Sequence, residues 1–411
     1  MRKYTVVIPT RNNIDTLPFT LQTCLAQDYP LFKIVICDNG TDHKTEEYIR
    51  RFNDERVEYY RTGVPLSMTE NFEFALSKVK EGFIIFIGAD DGLMPGAINY
   101  VDGIIEKFQV KAVACQYAQY FWPNAPVAVK GRLRINPLNY YSSGVEIRNS
   151  EHWIKKTLAF ETELYVCDLP GLYYGVIHRD IVDMAMPDGK YFRSIAPDGY
   201  SAFATAIHIE NYAYSFRPFC IAGLSGKSNG LAHATNGDIA KQFVIENKFP
   251  VHKYFVYCSA MEVITGESFY QVKKAFPDKC QKYSIDFRLL LRRILENKNA
   301  ISSAPIYNAV QKMAEIHKID PGNLKVGANS RLKVFLKRSV RYFKFMVQKG
   351  TRFLGVENSE QYGVRNIYDA SIVLSLIEKI NNGGNFETGA TLFRDRVKNR
   401  LMGRSSRGYN G

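Results

Sequence analysis

Within the first hundred residues of this 411-residue chain, short β-branched runs alternate with stretches of helical spacing, and that alternation leaves few folds open. "YTVVIP" (4–9) and "FKIVICD" (32–38) are apolar on both faces, as strands are when helices cover both sides of a parallel sheet. Between them, "IDTLPFTLQTCLAQ" repeats apolar residues at helical spacing, and "TDHKTEEYIRRF" opens with cap-forming residues and carries its acids early and its bases late. "VEYYRT" (57–62) reads as a third strand, "SMTENFEFALSKV" as a third helix and "FIIFIG" (83–88) as a fourth strand. The series predicts an α/β fold: an open, doubly wound, mostly parallel sheet flanked by helices. Ligands of such sheets bind at the carboxyl ends of the strands. "PTRNN", "DNGTD" and "ADDG" follow strands one, two and four, so all three polar clusters are expected on one rim.

The last cluster places Asp90 and Asp91 side by side where a buried run ends. A single Asp there would be an ordinary turn or capping residue, with Pro95 near the first turn of the next helix. Two adjacent carboxylates in a partly dry cleft repel each other, a cost that a bound cation offsets. Few, hard oxygen ligands point to Mn²⁺ or Mg²⁺, completed by phosphate oxygens and water.

Composition sets the outer limits. With 46% hydrophobic and 23% charged residues the chain is globular and long enough for more than one core. The seven cysteines are dispersed and never form a CxxC pair, which argues against a disulfide framework or zinc ribbon and for a reducing, cytoplasmic setting. The apolar run after Met1 is too short for a secretion signal, and no window approaches the roughly 20 apolar residues that cross a bilayer. A formal charge of +13 draws the protein to anionic partners. From about residue 240 the chain reads as helical and basic; "RLKVFLKRSVRYFKFMVQKGTR" (331–352) contains no acid. On a helix, Leu332, Phe335, Leu336 and Phe343 share a face beside a stripe of Lys333, Lys337, Arg341 and Lys344. That pattern suits either an anionic membrane interface, at the inner face of the plasma membrane, or packing on the rest of the protein.

"VVIPTRNN", "IVICDNGTDHKT", "SMTENFEFAL" and "FIIFIGADDGLMPGAI" together resemble the ordered motifs of the family 2 glycosyltransferases, which have the GT-A fold. The resemblance is strong over about the first hundred residues and weakens towards residue 230. It implies a nucleotide-sugar donor across the strand ends, most often uridine-linked, a divalent metal on its diphosphate, and inversion at the anomeric carbon. By position, Thr10, Arg11 and Asn12 match the loop that meets the nucleobase, Asp38 the acid that holds the nucleoside, and Asn71 the polar residue ahead of the metal motif. Asp90 and Asp91 match the DXD-type motif, with Asp91 as metal ligand and Asp90 nearer the ribose. Many members have a further acid where this chain has Ala89, which leaves Asp91 as the main protein ligand.

A hydroxyl acceptor needs a base, and the candidate is Asp198 in "SIAPDGYSAFATAIH", with Asp188 in "MPDGK" as rival. "LSGKSNGLAHATNG" (224–237) supplies Lys227 and His233, the latter a second candidate metal ligand; the loop either closes over the diphosphate or is a plain connection. His208 reads as a packed residue, and the aromatics of "QYAQYFWPNAP" (116–126) as strand core. The expected organisation is a catalytic domain over 1–238, its nucleotide-sugar half about 1–110 and its acceptor half about 111–238. A helical basic region over 239–402 and a disordered tail over 403–411 follow. The implied function is transfer of a sugar to a glycan or lipid-linked acceptor in surface polysaccharide biosynthesis. A sugar-phosphate nucleotidyltransferase would need a G-x-G-T-R loop after strand one, which "IPTRNN" lacks. A nucleic-acid-binding protein would leave the paired carboxylates unexplained, and a sugar-binding protein without turnover is the remaining alternative.

Overall fold

The computed structural model describes residues 1–125, 130–134, 144–162, 166–228, 250–296, 304–324, 355–356, 359–360 and 363–383. The first hundred residues form β1 (Tyr4–Thr10), α1 (Leu17–Leu25), β2 (Phe32–Asp38), α2 (Lys44–Ile49), β3 (Val57–Arg61), α3 (Met68–Leu76) and β4 (Phe83–Phe86), in the expected alternation. There follow β5 (Gly92–Leu93), α4 (Ala97–Phe108), β6 (Ala112–Cys115), β7 (Ala118–Phe121), β8 (Leu133–Arg134), β9 (Val145–Asn149) and α5 (Ser150–Leu158). Next come β10 (Val176–His178), α6 (Arg179–Met184), α7 (Pro197–Ala206), β11 (Asn211–Ser215) and β12 (Cys220–Leu224).

Among the described residues, eight strands form the main sheet in the order β3-β2-β1-β4-β10-β6-β11-β9. The pairs among β3, β2, β1 and β4 are parallel, and so is β6 with β11; β10 runs antiparallel between β4 and β6, and β9 runs antiparallel on the edge. The sheet is therefore mostly parallel, with helices on its faces, as expected. The register sets Thr10 opposite Asp38, while Val7 faces Phe86 on the other neighbour, so the chain after β4 emerges beside the end of β1.

Both faces of the sheet are covered, which is why its strands are apolar throughout. Val6, Ile8, Ile34, Ile36 and Ile85 meet Leu17 and Leu21 of α1 and Val101 and Ile105 of α4. On the other face Val7, Val35, Ile84 and Phe86 meet Leu76 of α3 and Phe203 of α7. α3 starts with a capping box, in which the Glu70 N–H donates to Ser67 Oγ (3.2 Å) and the Ser67 N–H to Glu70 Oε2 (2.8 Å).

Two features differ from expectation. β4 stops at Phe86 rather than running to Gly88, and between the carboxylate pair and α4 Gly92–Leu93 intervenes as a strand, with Gly96, at φ +71°, preceding α4. β5 belongs to a second sheet, β13 (Gly355–Val356) β8-β7-β12-β5, so Asp90 and Asp91 lie on the step between two sheets. Strands of two residues, such as β5 and β8, carry too little periodicity to be read from sequence.

The C-terminal region is helix-rich. Helix Met261–Ala275 shares the core of α3 and α7 through Val263, Phe269 and Val272, and helix Ile367–Gly383 packs Val373, Leu374 and Ile377 against Tyr120, Trp122 and Ile221 of the small sheet. Among the described residues no helix is long and apolar enough to cross a membrane. The boundary expected at 238, the basic stretch 331–352 and the tail 403–411 lie outside the described residues.

Candidate active site

The rim where β1, β2 and β4 end opens into a cavity of about 630 Å³. Thr10, Arg11 and Asn12 line it from the end of β1, Asn71 from α3, Asp90 and Asp91 from the step after β4, and Asp198 from the first turn of α7. These seven residues, singled out in the sequence, therefore meet in one place, and Lys227 joins them.

Asp91 is almost fully buried, at 1% exposure, and its carboxylate is saturated. Oδ2 accepts the Gly88 N–H (2.6 Å) and the Tyr173 hydroxyl (2.7 Å); Oδ1 accepts the Tyr174 hydroxyl and the Gly223 N–H, both at 2.8 Å. Four donors use all the acceptor directions a carboxylate has. Asp90 is different: Oδ2 accepts the Ser225 hydroxyl at 2.7 Å, and among the described residues no side chain donates to Oδ1. Asp91, given the metal-ligand role from the sequence, is thus the more heavily hydrogen-bonded carboxylate of the pair and Asp90 the less.

The surroundings hold the pair tightly. Trp122 Nε1 donates to the Asp90 carbonyl (3.0 Å), and the Thr20 hydroxyl is within reach of the Ala89 and Asp91 carbonyls at 2.9 and 2.6 Å. β12 passes so close that a Cβ on Gly223 would lie 1.7 Å from the Asp90 carbonyl oxygen, so this position admits only glycine. Burial raises both carboxyls above their ordinary range, and for Asp90 the Asp91 charge adds to it. Among the described residues neither forms an ion pair with a lysine or arginine. A cation between Asp90 and a ligand phosphate would relieve that repulsion, and this donor set suits a hard ion such as Mn²⁺ or Mg²⁺.

Polar atoms on the β1 side lack partners. Thr10 Oγ1 and Asn71 Oδ1 are buried without a hydrogen bond among the described residues. Asn12, in the left-handed conformation at φ +56°, ties the loop after β1 to that after β2: its Nδ2 donates to Thr41 Oγ1 (3.0 Å), and the Thr41 N–H donates to its Oδ1 (2.9 Å). Asp38 does not line the cavity; its neighbour Asn39 does. The Asp38 carboxylate accepts the Gly40 N–H (2.7 Å) and the Tyr59 hydroxyl (2.8 Å), which shapes the turn that presents Asn39. Lys227 bridges the rim, donating to the Asn12 carbonyl and to Asp15, both at 2.9 Å.

Asp198 follows Pro197 at the start of α7, where burial raises its carboxyl above the ordinary range. Asp188 sits in an exposed turn paired with Arg193 and does not reach the cavity. His208 is packed as expected, its Nδ1 2.7 Å from the Ala204 carbonyl and its pKa lowered by burial. His233 lies outside the described residues. Tyr173, Tyr174, Gly223, Ser225 and Trp122 were not singled out as site residues; the one local signal was "GLYYG", in which Tyr174 takes a positive φ of 62°.

The family model of glycosyl transferase family 2 matches residues 5–159. Among solved structures, S. aureus TarS 1–349 in complex with UDP-GlcNAc is similar at 12% identity and a TM-score of 0.45, over 77% of this chain and 91% of that one. The complex of the same fragment with UDP aligns at 12% identity, 77% and 91% coverage and a TM-score of 0.44. A further TarS structure aligns at 13% identity and a TM-score of 0.42, over 77% of this chain and 52% of that one. A comparison with curated protein sequences finds no match.

Proposed function

From the premise that residues 5–159 belong to glycosyl transferase family 2 and that the chain is a glycosyltransferase, we propose that it inverts the anomeric centre of a nucleotide sugar, UDP-linked, on transfer to an acceptor hydroxyl. The observation that carries this reading is the convergence in one cavity of the buried Asp90 and Asp91 pair, the unpartnered oxygens of Thr10 and Asn71, and Asp198. Residues 1–238 make up the catalytic part.

Thr10, Arg11, Asn12 and Asn71 receive the nucleoside, and Asp38 acts one step back by shaping the turn at Asn39. Asp90 would hold Mn²⁺ or Mg²⁺, with Asp91 as the buried anchor of the motif. When bound, the cation stabilises the negative charge that develops on the departing diphosphate. Asp198 accepts the proton of the acceptor hydroxyl while that oxygen attacks the anomeric carbon from the face opposite the diphosphate. The bond between that carbon and the diphosphate oxygen breaks, its electron pair leaves with the nucleotide, and the configuration inverts. Lys227, already at the rim, adds positive charge on the diphosphate side.

The net charge of +13 favours an acceptor that carries phosphate or lies at an anionic surface. A glycan or lipid-linked glycan in surface polysaccharide synthesis, met at the inner face of the membrane, fits that requirement. The test is a screen of nucleotide sugars for thermal stabilisation with and without Mn²⁺. A donor that raises Tm more with the metal than without it supports the reading. A flat response to every donor, with strong retention on nucleic acid at physiological salt, overturns it.

A further inference from the structure

The run that leads into Asp198 is held between two carboxylates from different parts of the chain, the half-buried Glu73 and the buried Glu267. Glu73 of α3 accepts the backbone N–H groups of Tyr191 (3.0 Å) and Phe192 (2.8 Å). From the other side, Glu267 in helix Met261–Ala275 accepts the Ser194 hydroxyl at 2.6 Å. Ser194 is fully buried and links three elements: its Oγ accepts the Ala196 N–H at 3.2 Å, and its carbonyl accepts the Thr69 hydroxyl of α3 at 2.8 Å. Ala196 is the N-cap of α7, two residues before Asp198.

Glu267 is costly where it stands. It is 1% exposed, burial pushes its carboxyl above the ordinary range, and among the described residues it forms no ion pair with a lysine or arginine. Its second oxygen accepts the Gln271 amide at 2.6 Å, an amide that also donates to the Pro250 carbonyl at 3.0 Å. An apolar residue of similar volume would fill such a site without that desolvation cost. What the carboxylate adds is a directed acceptor for Ser194, and Ser194 fixes the backbone that starts α7.

We propose that Glu267, beyond the family-matched segment, is a positioning residue for the transfer reaction, holding Asp198 in place through Ser194 and the first turn of α7. This rests on Asp198 being the base. α3 grips the same run through Glu73 and Thr69 and presents Asn71 to the cavity, so the donor side and the C-terminal helix meet on one loop.

The test compares Glu267→Gln and Ser194→Ala with Asp198→Asn in the full-length enzyme. Glu267→Gln keeps the volume but either sets an amide nitrogen against the Gln271 amide or turns that nitrogen to Ser194, where the hydroxyl must then accept instead of donate. Because misplacement on the order of 1 Å can cost about a hundredfold, kcat is expected to fall roughly ten- to hundredfold while donor KM stays within about twofold. The acid limb of the pH–rate profile should shift towards the ordinary carboxylate range as Asp198 gains access to water. Ser194→Ala should reproduce both effects, and the double variant should be no worse than the worse single, since the two residues form one linkage. Wild-type kcat in both single variants, or a kcat loss matched by a proportional rise in donor KM, overturns the proposal. If Glu267→Gln does not fold, Ser194→Ala decides the matter by the same readouts. Full turnover in Asp198→Asn would bring down the base assignment itself; an inactive Asp198→Asn beside fully active Glu267 and Ser194 variants would bring down the positioning role alone.

Discussion

The two walls of the cavity are built in opposite ways. Thr10, Arg11, Asn12 and Asn39 follow long regular strands, whereas Tyr173 and Tyr174, Gly223 and Met261 come from a turn, a small sheet and a C-terminal helix. Polar groups on the strand-end wall include buried oxygens without partners, as at Thr10 and Asn71. Those on the far wall are committed to the protein itself, with Tyr173, Tyr174 and the Gly223 N–H holding Asp91, and behind the wall Glu267 holds Ser194. One wall has hydrogen-bonding capacity left over, while the other uses its capacity to hold Asp91 and the run before Asp198. Substitutions on the first should therefore weaken binding, and those on the second should weaken positioning or stability.

The largest effect is expected at Asp198. Asp198→Asn keeps the shape of the side chain but removes the proton acceptor, so transfer should slow by about 10²- to 10⁴-fold with donor affinity nearly unchanged. Donor titration by thermal shift alongside initial rates checks both halves. Lost donor binding with unchanged saturated turnover would move Asp198 from the far wall's role to the donor wall's.

Asp90 and Asp91 give the sharpest contrast, since neighbours in sequence fall on opposite sides of the division. Asp90→Asn relieves the burial and the Asp91 repulsion that raise this carboxyl, so Tm should match or exceed wild type at neutral pH, while turnover falls by about 10²- to 10³-fold with a weaker response to added Mn²⁺. Asp91→Asn turns an amide nitrogen towards either the Gly88 or the Gly223 N–H, and neither can rotate away. A clash of donors at a buried site should cost about 1–3 kcal/mol of stability. Denaturant unfolding and metal-dependent rates, measured on both variants, separate the roles; metal response lost only in Asp91→Asn would return the ligand to Asp91.

What was readable in the sequence follows the same line. β1, β2 and β4 are long or uniformly apolar, so their ends, and with them Thr10, Arg11, Asn12 and the carboxylate pair, could be placed from local pattern. Which of two adjacent aspartates is exposed to a ligand could not be, because that is decided by Tyr173, Tyr174 and Gly223, brought in by tertiary structure. β5 and β8 are two residues long, so the small sheet left no periodic trace. Asp38 shows the limit in another way: it is an acid at the expected strand end, yet Gly40 and Tyr59 occupy its oxygens.

A smaller effect follows from the burial of Asp198. Its folded-state pKa is raised, so between the unfolded and folded values the native state holds more proton than the unfolded one. Stability from this group is therefore complete below the unfolded pKa and is lost as pH rises through the folded one. Asp198→Asn removes the loss, and the variant should be the more stable protein at neutral pH while the difference vanishes below pH ~3, where Asp198 is protonated in both the folded and the unfolded state. Unfolding curves at the two pH values check the sign; an Asn variant less stable at neutral pH would show that Asp198 is stabilised as an anion.

The smallest effect separates the walls most cleanly, because it changes sign with ligand. Thr10→Val exchanges one β-branched side chain for another of similar shape at the end of β1, so strand and packing should survive. The hydroxyl it removes is buried and unpartnered, and an unsatisfied buried polar group costs free energy that a methyl group does not. The ligand-free variant should therefore match or exceed the wild-type Tm. If the hydroxyl is there for the nucleotide, donor affinity should drop by about 1 kcal/mol, roughly fivefold, the ordinary worth of one hydrogen bond. Thermal unfolding with and without saturating nucleotide sugar reads both signs in one experiment. A variant that loses stability without ligand but keeps full donor affinity would make Thr10 part of the protein's own framework, and the strand-end wall would then be no more open to ligand than the wall across from it.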